Sequence, residues 1–564
     1  LSVRGRTGLL ELAEGEVTIE IKKPETIVLL AFLGILLFME LQVSFATPIS
    51  FGDEGFHTRM AQWIGQNAEY PVWTPFTQSL AGKAGFDRPP FWNILEGGLF
   101  WLFGFREAIP RLLTPFVSVM GGLALYLGAK RFYGGRIGFI AAVLLATFPS
   151  IVTYALVFYT QLLTIFFMSM FIVTLAMAMS TGRKLHMLAA GAFGALAFLT
   201  NVVGAAAYIV VAMLLPYELL KGRRPLELVR KYWLAVLLMA LLPSTLLIRN
   251  YASYGTPLCY SFPILSNVFS TAGCNVNTNV FTAQYSYAGR TVQTGTESSV
   301  FSIGVVSYLD FAYGNVWLII IAFAGGLMFL TTPISKAWSE GVTLPQIESM
   351  DFMSLAMIAI YAFLFLSGGI TARAEDTARY SLIWAPIIAL VAARYLDDAY
   401  LFLKKYQKYL ALVVFAAVLY LGWTVAAAKI AAMYQVKQFS PMFFEACDWI
   451  KANTPQDLVI STVWTYRTAY SCQRNVVASL ADMALSNNVT HILEVTKAVG
   501  ITHIFVQKFS LSDQSLSEAY PISYVRLLEA NPDHFKKVYE NGPSLEQCIQ
   551  QGGCDGNIVY EIVY

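Results

Sequence analysis

The sequence predicts a polytopic α-helical membrane protein that ends in a smaller α/β domain, and three observations carry that expectation. The chain of 564 residues is 56% hydrophobic but only 13% charged, roughly half the charged share of a soluble domain. Its apolar residues cluster in runs of about twenty, the length that crosses a hydrocarbon core of ~30 Å. Beyond Ala428 the composition becomes that of a soluble protein, and helix-like and strand-like patterns alternate. A net charge of +2, with no basic run, gives no basis for a nucleic-acid partner.

Lys22 and Lys23 precede the first span, Ile27 to Ala46, and place segment 1–26 in the cytoplasm. No small-residue cleavage site flanks that span, so it reads as retained. The segment Thr47 to Arg106 then forms a first large outer loop, 47–106. Within it Phe91 to Phe105 is short for a span and is interrupted by Asn93, Glu96 and two glycines, which suits an interfacial or re-entrant helix. Further spans are expected near Ile109–Ala129, Ile137–Tyr154, Leu162–Met179, Met187–Thr200, Ala205–Leu220 and Trp233–Ile248. After a second outer loop, 249–316, come Trp317–Leu330, Phe352–Leu366, Leu382–Tyr395 and Leu410–Ala428. That makes about eleven spans in a membrane domain 27–428.

This layout sends the basic turns at Lys130-Arg131 and Arg136, Arg183-Lys184, Lys221 to Lys231 and Lys404 to Lys408 to the cytoplasmic side. It sends all six cysteines outside, where disulfides persist. Proximity suggests the pairs Cys259–Cys274, Cys447–Cys472 and Cys548–Cys554, with other connectivities open. The tail 429–564 becomes an extracytoplasmic α/β domain. Its expected elements are a helix over Phe443 to Asn453, a strand at Leu458 to Val463, a helix over Leu493 to Val499 and a strand at Thr502 to Val506. The sequon Asn488-Val489-Thr490 suits the same side, and no glycine-rich phosphate fingerprint follows a strand.

Ionisable residues almost avoid the spans; Glu40, in the outer third of the first, is the main exception. That distribution favours chemistry at the outer interface over transport through the bundle. Three outer segments hold the polar residues. In Phe51-Gly52-Asp53-Glu54-Gly55-Phe56-His57 the acids are either helix-start carboxylates favoured by the macrodipole or a working pair. In the second case Asp53 is a general base and Glu54 orients it or binds the acceptor. His57 follows Asp53 by one turn, a spacing compatible with a shared metal but equally with a helix-surface histidine. In Asp87-Arg88-Pro89-Pro90-Phe91-Trp92, Arg88 lies at phosphate depth unless it is a snorkelling anchor. The third segment, 368–380, carries Arg373 and Arg379, six apart, able to clamp a phosphate unless Glu375 and Asp376 neutralise them. Arg290, in the outer loop, is a weaker candidate for the same anionic pocket.

These segments, in this order, resemble the GT-C superfamily of membrane glycosyltransferases that use polyprenyl-phosphate sugars, including protein O-mannosyltransferases and the lipid A aminoarabinose transferase. The acidic pair Asp53-Glu54 after the first span is similar to the family's hallmark, and Arg88-Pro89-Pro90-Phe91-Trp92 to its basic-Pro-Pro-aromatic element. Arg249-Asn250-Tyr251 with Tyr254-Gly255-Thr256-Pro257, and Glu375 with Arg379-Tyr380 and Pro386, resemble two further elements. The sequence departs from the pattern at Gln161, where the family often has an acid, and at Asn201, where lysine is frequent. The Trp-Trp-Asp motif of oligosaccharyltransferases is absent.

The resemblance implies transfer of a sugar from a polyprenyl phosphate to a hydroxyl of a glycan, lipid or protein acceptor, with inversion. Asp53 is then the base, assisted by Glu54, and Arg88, Arg373, Arg379 and Arg290 hold the lipid phosphate. His57, Gln161, Glu375 and Tyr380 support them. A divalent metal is possible but not favoured, because Gln161 brings no charge. The expected setting is the cell membrane, with the N-terminus cytoplasmic. A lipid-linked-sugar flippase, or a non-catalytic protein binding partners through its outer domain, are the competing readings.

Overall fold

In lipid a backbone can satisfy its polar groups only within itself, so long apolar runs become helices. The computed structural model describes residues 24–49, 53–79, 82–85, 88–255, 257, 356, 381–478, 488–512 and 520–564. Outside them lie Cys259, Cys274, Arg290, Arg373, Glu375, Arg379 and Tyr380, together with Asp87 and, apart from Ala356, the two spans expected between 317 and 366.

The membrane part begins with α1 (Pro24–Ala46). The first loop contributes α2 (Glu54–Asn67), strands β1 (Trp73–Ser79) and β2 (Gly82–Gly85), and α3 (Phe91–Phe103). The bundle continues with α4 (Ala108–Tyr133), α5 (Gly135–Ala146), α6 (Pro149–Ala155), α7 (Gln161–Thr181), α8 (Lys184–Thr200), α9 (Ala206–Leu220) and α10 (Pro225–Tyr254). It closes with α11 (Ala385–Tyr406) and α12 (Lys408–Lys437). Among the described residues five helices are long and apolar enough to cross a membrane, six if α5 and α6 count as one span. α7 is the most enclosed, with 83% of its apolar window buried, so it forms the axis around which the others pack.

Two expectations change here. The span read as Ile137–Tyr154 is two helices bent by 60°. Pro149 opens α6 and forces Phe148 into extended backbone, φ −60° and ψ 119°, as a residue before proline prefers. The second change is in the first loop, which is not merely an interfacial helix. Its strand β1 joins the sheet of the C-terminal domain.

That domain contains α13 (Pro441–Asn453), β3 (Val459–Thr462), α14 (Thr465–Ser471), β4 (Asn475–Ala478), α15 (Val489–Val499) and β5 (His503–Gln507). There follow β6 (Leu511–Ser512), β7 (Tyr520–Pro521), α16 (Ile522–Glu529), β8 (Phe535–Asn541), α17 (Leu545–Gln550) and β9 (Asn557–Ile562). The sheet order is β2-β1-β4-β3-β5-β9-β8. β1 runs parallel to β4 with Thr77 opposite Val476, and β4, β3 and β5 are mutually parallel through helical crossovers. Disulfides Cys447–Cys472 and Cys548–Cys554 both lie in this domain, as their proximity suggested.

Helix α2 is held between the two parts by close approach. A side chain at Gly97 of α3 would meet the Ala61 carbonyl at 2.9 Å, and one at Gly55 would meet the Tyr466 carbonyl of α14 at 2.6 Å. α3 is 13 residues long, about 20 Å, and so too short to cross. The apolar side chains at its C-terminal end, Trp101, Leu102 and Phe103, are more than 60% exposed, which suits a helix lying along the lipid interface.

Candidate active site between the first loop and the helix bundle

Asp53 is the N-cap of α2, yet its side chain makes no capping hydrogen bond. The carboxylate faces Arg88 instead, with Oδ2 3.6 Å from Nη1. The backbone N–H of Asp53 donates to the Tyr159 hydroxyl at 2.7 Å. A carboxylate placed only to cap its helix would turn to the amides of the first turn. This one is turned away from them.

Arg88 is positioned from three sides. Its guanidinium lies 4.2 Å over the Phe56 ring, and its carbonyl accepts from the Tyr70 hydroxyl at 2.7 Å. Arg249 in turn stacks 4.8 Å from the Tyr70 ring and donates to the Pro71 carbonyl, while the Tyr254 hydroxyl donates to the Val72 carbonyl. The Arg249-to-Tyr254 motif therefore anchors the loop leading to Arg88; neither side chain lines the cavity.

That cavity, about 140 Å³, is lined by Asp53, His57, Arg88, Pro89 and Tyr159, and on the bundle side by Thr160, Gln161, Thr200, Asn201 and Val202. The fold thus gathers five residues singled out in the sequence, Asp53, His57, Arg88, Gln161 and Asn201. The His57 Nδ1–H donates to Asn93 Oδ1 at 2.9 Å, which fixes the ring with Nε2 as its second polar atom. Tyr159, Thr160 and Thr200 were not expected. The first two directly precede Gln161 in the sequence.

Glu54 has a different place from Asp53. It is fully buried and does not line the cavity. Its Oε1 accepts from Lys437 Nζ at 2.7 Å, both side chains being 0% exposed, and from the Phe158 N–H at 3.3 Å. Lys437 also donates to the Leu156 carbonyl at 2.6 Å and sits 4.7 Å from the Phe158 ring centre. Nearby, the buried Arg467 guanidinium lies 3.8 Å over the Phe439 ring. Burial pulls its pKa down to about 10, opposed by the charge of Glu54, so it stays cationic at neutral pH.

Glu96 of α3 is buried against α2 as well. Burial pushes its carboxyl up to about 8, and the Thr58 hydroxyl offsets only part of that. The group is neutral in the folded protein at neutral pH and ionised in the unfolded chain. It therefore withdraws stability as pH rises from the ordinary carboxylate range to about 8, by ~3 kcal/mol at pH 7. Glu96→Gln is expected to flatten the fall in Tm between pH 5 and pH 8 and to leave Tm at pH 4 nearly unchanged. An equally steep fall in the variant would show that this group is not its source.

Residues 87–248 match a family model described as dolichyl-phosphate-mannose-protein mannosyltransferase. No curated protein sequence matches. Among solved structures the chain is similar to the Archaeoglobus fulgidus oligosaccharyltransferase AglB in complex with an inhibitory peptide and a dolichol-phosphate. That match has a TM-score of 0.59 and 13% identity, and covers 95% of this chain and 74% of that one. It is similar to ArnT from Cupriavidus metallidurans bound to undecaprenyl phosphate, with a TM-score of 0.57 and 14% identity, covering 95% and 98%. The mycobacterial arabinofuranosyltransferase AftD matches with a TM-score of 0.53 and 13% identity, covering 95% of this chain and 40% of that one. The chain is a multi-pass protein with the GT-C glycosyltransferase fold.

Proposed function

We propose that the chain is a membrane glycosyltransferase that moves a sugar from a polyprenyl phosphate to an acceptor hydroxyl. The observation that carries this is the carboxylate of Asp53, turned from its own helix toward Arg88 on a small polar cavity. The dolichol-phosphate and undecaprenyl phosphate held by the similar AglB and ArnT structures support a lipid-phosphate donor.

Asp53 accepts the proton of the acceptor hydroxyl as its oxygen bonds to the anomeric carbon. The bond from that carbon to the phosphate oxygen breaks, and polyprenyl phosphate leaves. A single displacement inverts the centre. Charge grows on the phosphate, where Arg88 stabilises it, helped by the amides that open α7 at Gln161. Arg373, Arg379 and Arg290 are assigned to the same phosphate, and Glu375 and Tyr380 to their support, on the resemblance alone. Because Arg88 also faces Asp53, an arriving phosphate competes for the guanidinium and leaves the carboxylate to the acceptor. Donor binding thereby prepares the base.

Among the described residues no group of three His, Cys, Asp or Glu side chains is placed to hold a metal. At the cavity a dication would meet one carboxylate, one imidazole, a neutral carboxamide and the Arg88 cation. That donor set fits it poorly, and no step is routed through a metal. The basic residues Lys130 and Arg131 close α4 at the end away from the cavity, and both disulfides lie in the sheet domain. These observations support a cavity and a C-terminal domain on the outer face.

Purified protein incubated with polyprenyl-phosphate-linked sugars and membrane-derived acceptors should release polyprenyl phosphate. Arg88→Ala should slow that release by about 10²–10³-fold and weaken retention of polyprenyl phosphate in native mass spectrometry. Unchanged rate and retention would remove Arg88 from the phosphate site.

A further inference from the structure

The bundle side of the cavity holds a group that the proposed mechanism does not use. Gln161 is 5% exposed, lines the cavity, and its carboxamide oxygen has no hydrogen-bond partner among the described residues. A buried acceptor in that condition costs about 1–3 kcal/mol. Its neighbours are already engaged. Asn201 Nδ2 donates to Thr160 Oγ1 at 2.9 Å, and Asn201 Oδ1 accepts from the Val203 N–H at 3.2 Å. The Thr160 hydroxyl, used there as an acceptor, keeps its own proton to donate. This side of the cavity therefore offers one neutral acceptor beside one neutral donor. A cavity of about 140 Å³ has room for roughly ten water-sized groups, the scale of a single monosaccharide ring.

We infer that Gln161 and Thr160 form the hydroxyl-reading subsite for the donor sugar and select an uncharged monosaccharide over one bearing an ammonium group. The inference rests on the transfer reading above and names its substrate class. A sugar hydroxyl donating to Gln161 Oε1 satisfies the buried acceptor. A sugar ammonium in the same place meets no counter-charge, because the bundle side of the cavity, Thr160, Gln161, Thr200, Asn201 and Val202, is neutral and Asp53, once the donor phosphate holds Arg88, is taken by the acceptor hydroxyl; an unpaired buried cation is strongly disfavoured. Asn201 acts by fixing the Thr160 hydroxyl and is a positioning residue.

The test uses the full chain in lipid nanodiscs with three kinds of donor on one polyprenyl-phosphate carrier: neutral hexoses, their monodeoxy analogues and an aminodeoxy sugar. The parent protein is expected to discriminate about 10- to 100-fold in kcat/KM against one monodeoxy analogue, the span of a single buried hydrogen bond. Gln161→Leu should erase that discrimination, and Gln161→Glu should raise the ratio of aminodeoxy to neutral donor use. Undiminished discrimination in a folded Gln161→Leu protein overturns the subsite and leaves glycosyl transfer standing. Should the leucine variant not fold, an unchanged donor ratio in Gln161→Glu overturns it instead. Transfer from none of these donors by the parent protein removes the proposed function and the subsite together.

Discussion

Asp53→Asn is expected to fold, insert and retain polyprenyl phosphate, while glycosyl transfer falls by about 10²–10⁴-fold, the usual contribution of a positioned general base. Stability should barely move, for a reason visible in the geometry. The carboxylate makes no capping hydrogen bond, so asparagine forfeits none. One partner lost is Arg88 at 3.6 Å, with both side chains about a quarter to a third exposed, and partly exposed pairs of this kind contribute little. The Tyr159 contact is made by the backbone N–H of residue 53 and survives any side-chain change. A helix-start acid would behave in the opposite way, with loss of stability and unchanged turnover. Measuring Tm together with single-turnover transfer separates the two. A folded Asp53→Asn protein with parent-like turnover would end the assignment of the base.

What the sequence could show about this site was limited by distance along the chain. Asp53 and Arg88 were legible from local pattern, Gln161 came in through the resemblance, and the layout drawn from the basic turns put the outer segments on one side of the membrane. The reach of β1 to β4 was not legible, because pairing Thr77 with Val476 leaves no local trace. Pro75 within β1 also argues against a strand. The structure tolerates it because the β1–β2 ladder is irregular between Trp73 and Gln78. The bend between α5 and α6 had a visible cause in Pro149, and the apolar run across it concealed the break. The buried place of Glu54 was not legible for a related reason. Its neighbour in sequence faces the cavity, but one position along a helix turns a side chain by about 100°. Its partner lies 383 residues away. Lys437 carried the signal that was missed, since a lysine closing an apolar span on the side with few basic residues calls for a specific partner.

That partner gives the largest stability effect expected here. Lys437→Met removes the cation that faces Glu54 with both side chains 0% exposed. It leaves a carboxylate with the Phe158 N–H at 3.3 Å and the neighbouring Arg467 charge, and it releases the Leu156 carbonyl. Breaking one side of a buried pair costs about 3–5 kcal/mol, because the remaining charge loses its hydrogen-bonded counter-ion where water does not reach it. The joint change Glu54→Gln with Lys437→Met should recover most of that loss, since two neutral groups of similar size carry no such penalty. The double variant also separates support from catalysis. If Glu54 only anchors the first turn of α2, the double variant transfers sugar at a rate close to the parent's once it is folded. If Glu54 touches a substrate, transfer stays depressed while Tm is restored. Denaturation in detergent and transfer measured on the three proteins decide between these, and a Lys437→Met protein as stable as the parent would show that the pair does not hold α2 in place.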